Sequence, residues 1–191
     1  SGHPVLSAPS PCPRLPRRLD HPPRSAAPFG LAFRLIFKIK VALHFEREEF
    51  DRRISAALAD RDLATILLFA QESHYYLTGY DTTGYVFFQC IVLTADDQPI
   101  TLLTRRPDLE QARRTSVMED IRIWYDSEGA APSDDLKDIL IEKGLVGERI
   151  GIELDSYGLR AHHYDQIKAS LAAWPELVDA SSLVRELRLV K

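Results

Sequence analysis

Six histidines, two cysteines and 28 acidic residues are the side chains of this 191-residue chain best able to bind a metal or move a proton. His162 and His163 are adjacent. On a helix their side chains diverge by about 100°, which suits no shared ion. They read as half-exposed helix histidines, and the isolated His44 and His74 read the same way. Glu153 and Asp155 lie on one side of a strand end and have the spacing of a chelating pair. The plainer reading is a solvent-facing strand edge that leads into the turn Ser156-Tyr157-Gly158. Cys90, between Gln89 and Ile91, reads as a small buried residue rather than a nucleophile. The acids Asp134, Asp135 and Asp138 read as a solvated helix start. Gly79 and Gly84 stand alone, and Gly144, Gly147 and Gly151 open no helix, so there is no phosphate loop or dinucleotide fingerprint. No serine sits in a nucleophile elbow, and no HExxH or CxxC occurs.

One stretch stands out. Glu72–Tyr85 holds Tyr75, Tyr76, Tyr80 and Tyr85, four tyrosines in fourteen residues, between two apolar runs. A connection between strands runs over the surface. Its aromatics either pack against the sheet or are offered to a partner or substrate.

The elements that flank it alternate. Apolar residues at Phe50, Ile54, Ala57 and Leu58 predict a helix over 45–60. The run 64–70 predicts a strand buried on both faces. Ser73–Gly79 reads as a turn or short helical piece closed by Gly79. Tyr85–Thr94 predicts a strand, paired as a hairpin with 100–104. Pro107 opens a helix to about Ser116, and 121–125 is a strand. Ser133 is placed as the N-cap of a helix to Lys143, stopped by Gly144. A strand at 149–154, a helix at 160–172, a strand at 177–179 and a helix at 183–189 capped by Ser181 complete the reading. About six strands and five helices predict an α/β fold: a mixed, about six-stranded sheet with helices on both faces.

Composition divides the chain. Residues 1–40 carry seven Lys/Arg, one acid and eight of the twelve prolines. Residues 41–191 carry 17 bases and 27 acids. The first forty residues therefore read as a basic, Pro-rich extension, disordered or non-native, with 41–191 as the organised domain. Ser1-Gly2-His3 resembles a cloning remnant, and Val41–Phe45 resembles a true start. A targeting peptide, or a functional arm that lies on a membrane or an acidic partner, stays open for this segment. The overall charge of -4 gives no reason to expect nucleic acid as a partner. No apolar run approaches the roughly 20 residues of a membrane span. Two cysteines, Cys12 and Cys90, make no disulfide scaffold.

Three segments carry a resemblance. Tyr76-Leu77-Thr78-Gly79-Tyr80 is similar to the YLTGY/F element of the creatinase/prolidase/aminopeptidase P ("pita-bread") family. Ile150-Gly151-Ile152-Glu153 resembles that family's IG(I/V)E strand, and Leu183–Lys191 resembles the segment before its catalytic domain. The resemblance covers about 45–191. It implies the creatinase/prolidase N-terminal fold, ribonuclease H-like, of a cytoplasmic hydrolase. It also implies that two divalent metal ions are held by a C-terminal catalytic domain that would follow Lys191, with no cofactor in this chain.

By the same resemblance, such domains support a homo-oligomer, typically a dimer, and shape the neighbouring subunit's substrate site. Tyr75 then takes the place of an aromatic wall residue, and Tyr80 and Asp81 take the place of substrate contacts in creatinase-like relatives. Creatinase has a Phe and an Arg in that region. The acid Asp81 suits a cationic or amine-bearing substrate instead. Packing of Tyr75 and Tyr76 under the sheet, and capping of the turn by Asp81, are the structural alternatives. A stand-alone small-molecule or protein-binding module with a basic arm is the other functional reading.

Overall fold

The computed structural model describes residues 52–96, 98–174 and 177–189. The basic extension 1–40 and the start of the helix predicted over 45–60 lie outside the described residues. Helix α1 covers 52–59 of that prediction. After it come β1 (Thr65–Leu68), α2 (Gln71–Thr78), β2 (Cys90–Thr94), β3 (Thr101–Arg105), α3 (Leu109–Thr115) and β4 (Asp120–Trp124). The chain continues through α4 (Pro132–Glu142), β5 (Ile150–Ile152), α5 (Ala161–Ser170), β6 (Val178–Asp179) and α6 (Ser181–Leu189).

The six strands form one sheet in the order β4-β3-β2-β1-β5-β6. β2 pairs antiparallel with β1 and β3, as the hairpin reading requires. The β3–β4, β1–β5 and β5–β6 pairs are parallel. Five strands thus point one way and β2 points back. The mixed sheet expected from the sequence is present.

Strand alternation splits the core into two layers. Ile66 and Leu68, Ile91 and Leu93, and Leu102 face one side. They meet Ile54 and Leu58 of α1, Leu77 of α2, Ala112 of α3, and Leu183 and Val184 of α6. Leu67, Cys90, Val92, Leu103, Ile150 and Ile152 face the other side. They meet Leu136, Ile139 and Leu140 of α4 and Ile167 of α5. Each face is covered by helices, so the strands read as near-continuous apolar runs. At the outer edge, Arg122 of β4 pairs with Asp120 at 2.5 Å and with Glu142 at 3.1 Å. Charge on an edge strand discourages pairing with another sheet.

Three expectations need correction. The strand predicted over Tyr85–Thr94 starts only at Cys90; Gly84–Val86 forms a single 3-10 turn instead. Aromatic and β-branched residues fit a strand, but here the chain is still crossing the end of the sheet. Ser133 is not the N-cap: Ala131 takes that position, Pro132 follows, and Ser133 is buried in the first turn. The last helix starts at Ser181 rather than Leu183. Asp179 accepts the Ser181 N–H at 3.0 Å, and the Ser181 hydroxyl accepts the Asp155 N–H at 2.9 Å. Gly79 and Gly144 do end helices, with φ of 75° and 73°, the left-handed region that glycine enters freely.

Candidate functional site

β1 and β5 are parallel neighbours whose connections leave to opposite faces. β1 leads into α2 on the first face, and β5 leads to α5 on the second. Such a switch opens a crevice at the carboxyl ends of the strands, where open α/β sheets commonly bind ligands. Here the crevice is filled from within. Glu153, next after β5, is 3% exposed. Its Oε2 accepts the N–H groups of Phe69 at 2.9 Å and Ala70 at 2.7 Å, and its Oε1 accepts the Ser73 hydroxyl at 2.6 Å. Gly158 completes the plug. A Cβ placed on it would stand 2.1 Å from the Phe69 carbonyl oxygen.

The solvent-facing strand edge expected for Glu153 is therefore overturned. A buried carboxylate is tolerable because three donors surround it and a helix N-terminus faces it. Asp155 turns outward to Arg185, 2.5 Å away, so the two acids do not converge. Among the described residues no three His, Cys, Asp or Glu side chains are placed to hold a metal ion. The described residues thus offer no ligand set for the two metal ions that the resemblance assigns to a catalytic domain.

His74, expected half-exposed on a helix, does lie on α2 but is buried. Its Nε2–H donates to the Leu68 carbonyl at 2.9 Å, which leaves Nδ1 buried without a partner. Burial pushes this imidazole below the ordinary histidine range, against the opposing pull of the Leu68 carbonyl and the charges of Glu153 and Glu72. Burial also raises the Cys90 thiol well above its usual range, and the Glu153 charge adds to that. A neutral thiol and a neutral imidazole sealed in the core are not a nucleophile–base pair. Cys90 is the small buried residue the sequence suggests.

His163 is half-buried against the edge of Phe88, ring centroids 5.2 Å apart. Burial, then Arg160 and His162, lower it too. The unfolded chain takes up protons at both histidines below about pH 6.5, and the folded chain resists them. Stability is therefore full above that pH and declines as pH falls toward the lowered folded-state values. Urea midpoints between pH 7.5 and 5.5 should show this decline, and His74→Gln should flatten it. An unchanged slope in the variant would contradict the assignment.

The aromatic stretch divides into inward and outward sets. α2 buries Ser73, His74, Leu77 and Thr78 on one arc, so Tyr75 and Tyr76 point out. Tyr75 is 61% exposed. The packing of one of these tyrosines under the sheet does not occur, because the segment is a helix and not a strand. Tyr76 lies beside α6, with the Arg188 guanidinium 5.8 Å from its ring centroid. Tyr80 is 0% exposed and stacks on His74 at 6.2 Å, so this substrate-contact candidate has no surface to offer. Burial raises its phenol, while the neighbouring Thr104 and Thr82 hydroxyls and Gln89 amide pull the other way.

Asp81 is exposed, and its backbone carbonyl accepts from Gln111 Nε2 of α3. The turn that follows is capped by Thr82, whose hydroxyl accepts the Gly84 N–H at 2.9 Å. The capping alternative for Asp81 is thus taken by its neighbour.

Tyr80 belongs to the core of the first face and Phe88 to that of the second. The segment 81–87 therefore arches over the end of the sheet. Tyr85, Val86 and Phe87 are exposed along it. Phe87 is held in place by Arg105, whose guanidinium carbon lies 3.4 Å from the ring centroid. Arg105 lies within ion-pair range of Asp108 at 3.5 Å and Asp126 at 3.7 Å. Phe88 is gripped from below, where Trp124 Nε1–H donates to its carbonyl at 3.0 Å. Sequence reasoning missed Thr82, the Phe87–Arg105 pair and the buried role of Glu153. For Glu153 one signal exists: an acid directly after an apolar strand, beside a helix start with no capping residue at Ala70.

Comparison with known proteins agrees with this architecture. The Creatinase/Prolidase N-terminal domain model matches residues 52–190. Ectoine hydrolase of Halomonas elongata is 28% identical over 163 residues, covering 80% of this chain and 40% of that protein. The Xaa-Pro dipeptidase of Bacillus anthracis superposes with a TM-score of 0.60 at 22% identity, over 76% of this chain and 36% of its own. The N-terminal domain of cytoplasmic peptidase PepQ from Mycobacterium tuberculosis H37Rv superposes with a TM-score of 0.57 at 24% identity, over 72% of this chain and 97% of that one. The chain thus spans well under half the length of ectoine hydrolase and of the dipeptidase. Among the described residues no helix is long and apolar enough to cross a membrane. The chain belongs to the creatinase/prolidase N-terminal domain family.

Proposed function

We propose that this chain is the non-catalytic N-terminal domain of a metal-dependent hydrolase and lends an aromatic, acidic wall to a substrate site completed by a catalytic domain. The observation that carries the reading is the contrast at the end of the sheet. The crevice where such a sheet would take its own ligand is filled by Glu153 and Gly158, while Tyr85–Phe87 and Asp81 are held outward. Exposed aromatics fixed from below suit contact with a partner or substrate. Tyr75 is a further candidate on α2, whereas the Tyr80 side chain is buried. In this reading two divalent metal ions sit in the catalytic domain, and a cytoplasmic homodimer brings the wall to a neighbouring active site.

Asp81 then selects for positive charge. Ectoine, an amidine zwitterion, and an Xaa-Pro dipeptide both present a cationic nitrogen at neutral pH. A carboxylate next to aromatic faces suits such a group. Asp81→Asn, made in the polypeptide that carries this domain together with its metal centre, is expected to raise KM about tenfold for cationic substrates, a loss of about 1.4 kcal/mol. Neutral analogues should be hardly affected. Equal losses on both classes would remove the charge-selection role. Turnover by this chain alone would overturn the non-catalytic reading.

A further inference from the structure

We infer that Glu153 is a positioning residue for Tyr75, and that its carboxylate sets where α2 begins and how the helix is turned about its axis. The inference rests on the wall reading for its functional meaning, but not for its geometry. The N-cap position of α2 is Ala70, which has no side-chain oxygen. A helix start needs acceptors for its free N–H groups. In a capping box, an acid three residues into the helix reaches back to the N-cap N–H. That position here is Ser73, too short for the task. Glu153, one residue past the end of β5 and 80 residues beyond Ser73, takes its place and grips Ser73 as well.

The grip is fixed at its other end. The Glu153 N–H donates to the Leu67 carbonyl at 3.0 Å and so continues the β1–β5 ladder. The end of the sheet therefore holds the start of α2 through one side chain. The buried and exposed arcs of α2 are sharply divided, so a small rotation of the helix moves Tyr75 along the surface. His74 to Leu68 and Gln71 to Tyr80 hold the same helix elsewhere, which keeps α2 helical when Glu153 is altered.

The test uses the 191-residue chain labelled with 3-fluorotyrosine, with the Tyr75 signal assigned through Tyr75→Phe. In Glu153→Gln an amide N–H2 replaces one accepting oxygen, so a donor of the trio loses its acceptor. In Glu153→Asp the carboxylate is drawn back by one methylene. Both variants should shift the fluorine resonance of Tyr75 and leave those of Tyr125 and Tyr157 in place. Amide exchange should speed at least tenfold at Phe69 and Ala70, with little change at Val92 and Leu103 in the middle of the sheet. If either variant fails to fold, Ser73→Ala removes one contact of the three and should give the same pattern more weakly. An unmoved Tyr75 resonance, or exchange that speeds uniformly through the sheet, would overturn the inference and leave Glu153 with a general stabilising role. Failure of the wall reading looks different. Tyr75→Ala would then leave the kinetics of the catalytic polypeptide unchanged, while the fluorine and exchange results in the Glu153 variants would stand.

Discussion

Gly158→Ala is expected to lower the stability of this chain by about 3 kcal/mol or more, at the upper end of the overpacking range. A methyl group there would stand 2.1 Å from the Phe69 carbonyl oxygen and 3.1 Å from its carbon. These are backbone atoms and have no rotamer to escape into. The Phe69 N–H is held by Glu153, and its ring packs edge-on against Phe88 at 5.8 Å. Either the turn 156–158 lifts off the crevice or the junction of β1 and α2 shifts. Thermal unfolding should show a fall of roughly 10 °C for a domain of this size. A fall within 2 or 3 °C would mean that the turn gives way easily and that the crevice is not tightly plugged.

Gly84→Ala should cost less, about 1–3 kcal/mol, and its effect should be local. Its Cβ would meet Asp108 Oδ1 at 2.5 Å and Gln89 Nε2 at 2.6 Å. These are side-chain ends, which ordinarily can swing away. Here both residues are buried, with Gln89 next to Tyr80 and Asp108 tied to Arg105. The disturbance should travel along that route: Asp108 moves, Arg105 follows, and Phe87 loses the cation beneath its ring. The expected result is a modest drop in the unfolding midpoint. Proteolysis between Tyr80 and Phe88 should be disproportionately faster than cleavage elsewhere. A large midpoint drop without local cleavage would show that the loop is an integral part of the core and not a surface arm.

The two substitutions separate two kinds of restraint at one end of the sheet. Gly158 lies where the molecule closes its own ligand crevice. Gly84 lies under the segment that displays aromatics outward. In the proposed function the first makes the domain a rigid support and the second makes it a wall.

The parts of this fold that short-range physics sets can be read along the chain. The continuous apolar run at 64–70, the helical spacing of Ile54 and Leu58, and glycine stops at Gly79 and Gly144 were all legible, and of the strand read over Tyr85–Thr94 the second half was. Each follows from the local backbone geometry of a few neighbouring residues. The order of these elements was enough for a mixed sheet covered on both faces and for the family resemblance. Where the polar groups go depends on packing between distant elements. Ser133 looked like a cap and is a buried first-turn residue, whereas Ala70 cannot cap and is served by Glu153 from 83 residues away. Tyr80 and Tyr75 look alike in the sequence, yet the left-handed turn at Gly79 sends Tyr80 into the core while the helix leaves Tyr75 outside. Local pattern reports which residues are apolar and how they repeat. The partner of a buried carboxylate or histidine is set by strand order, and strand order brings together residues that no window along the chain contains.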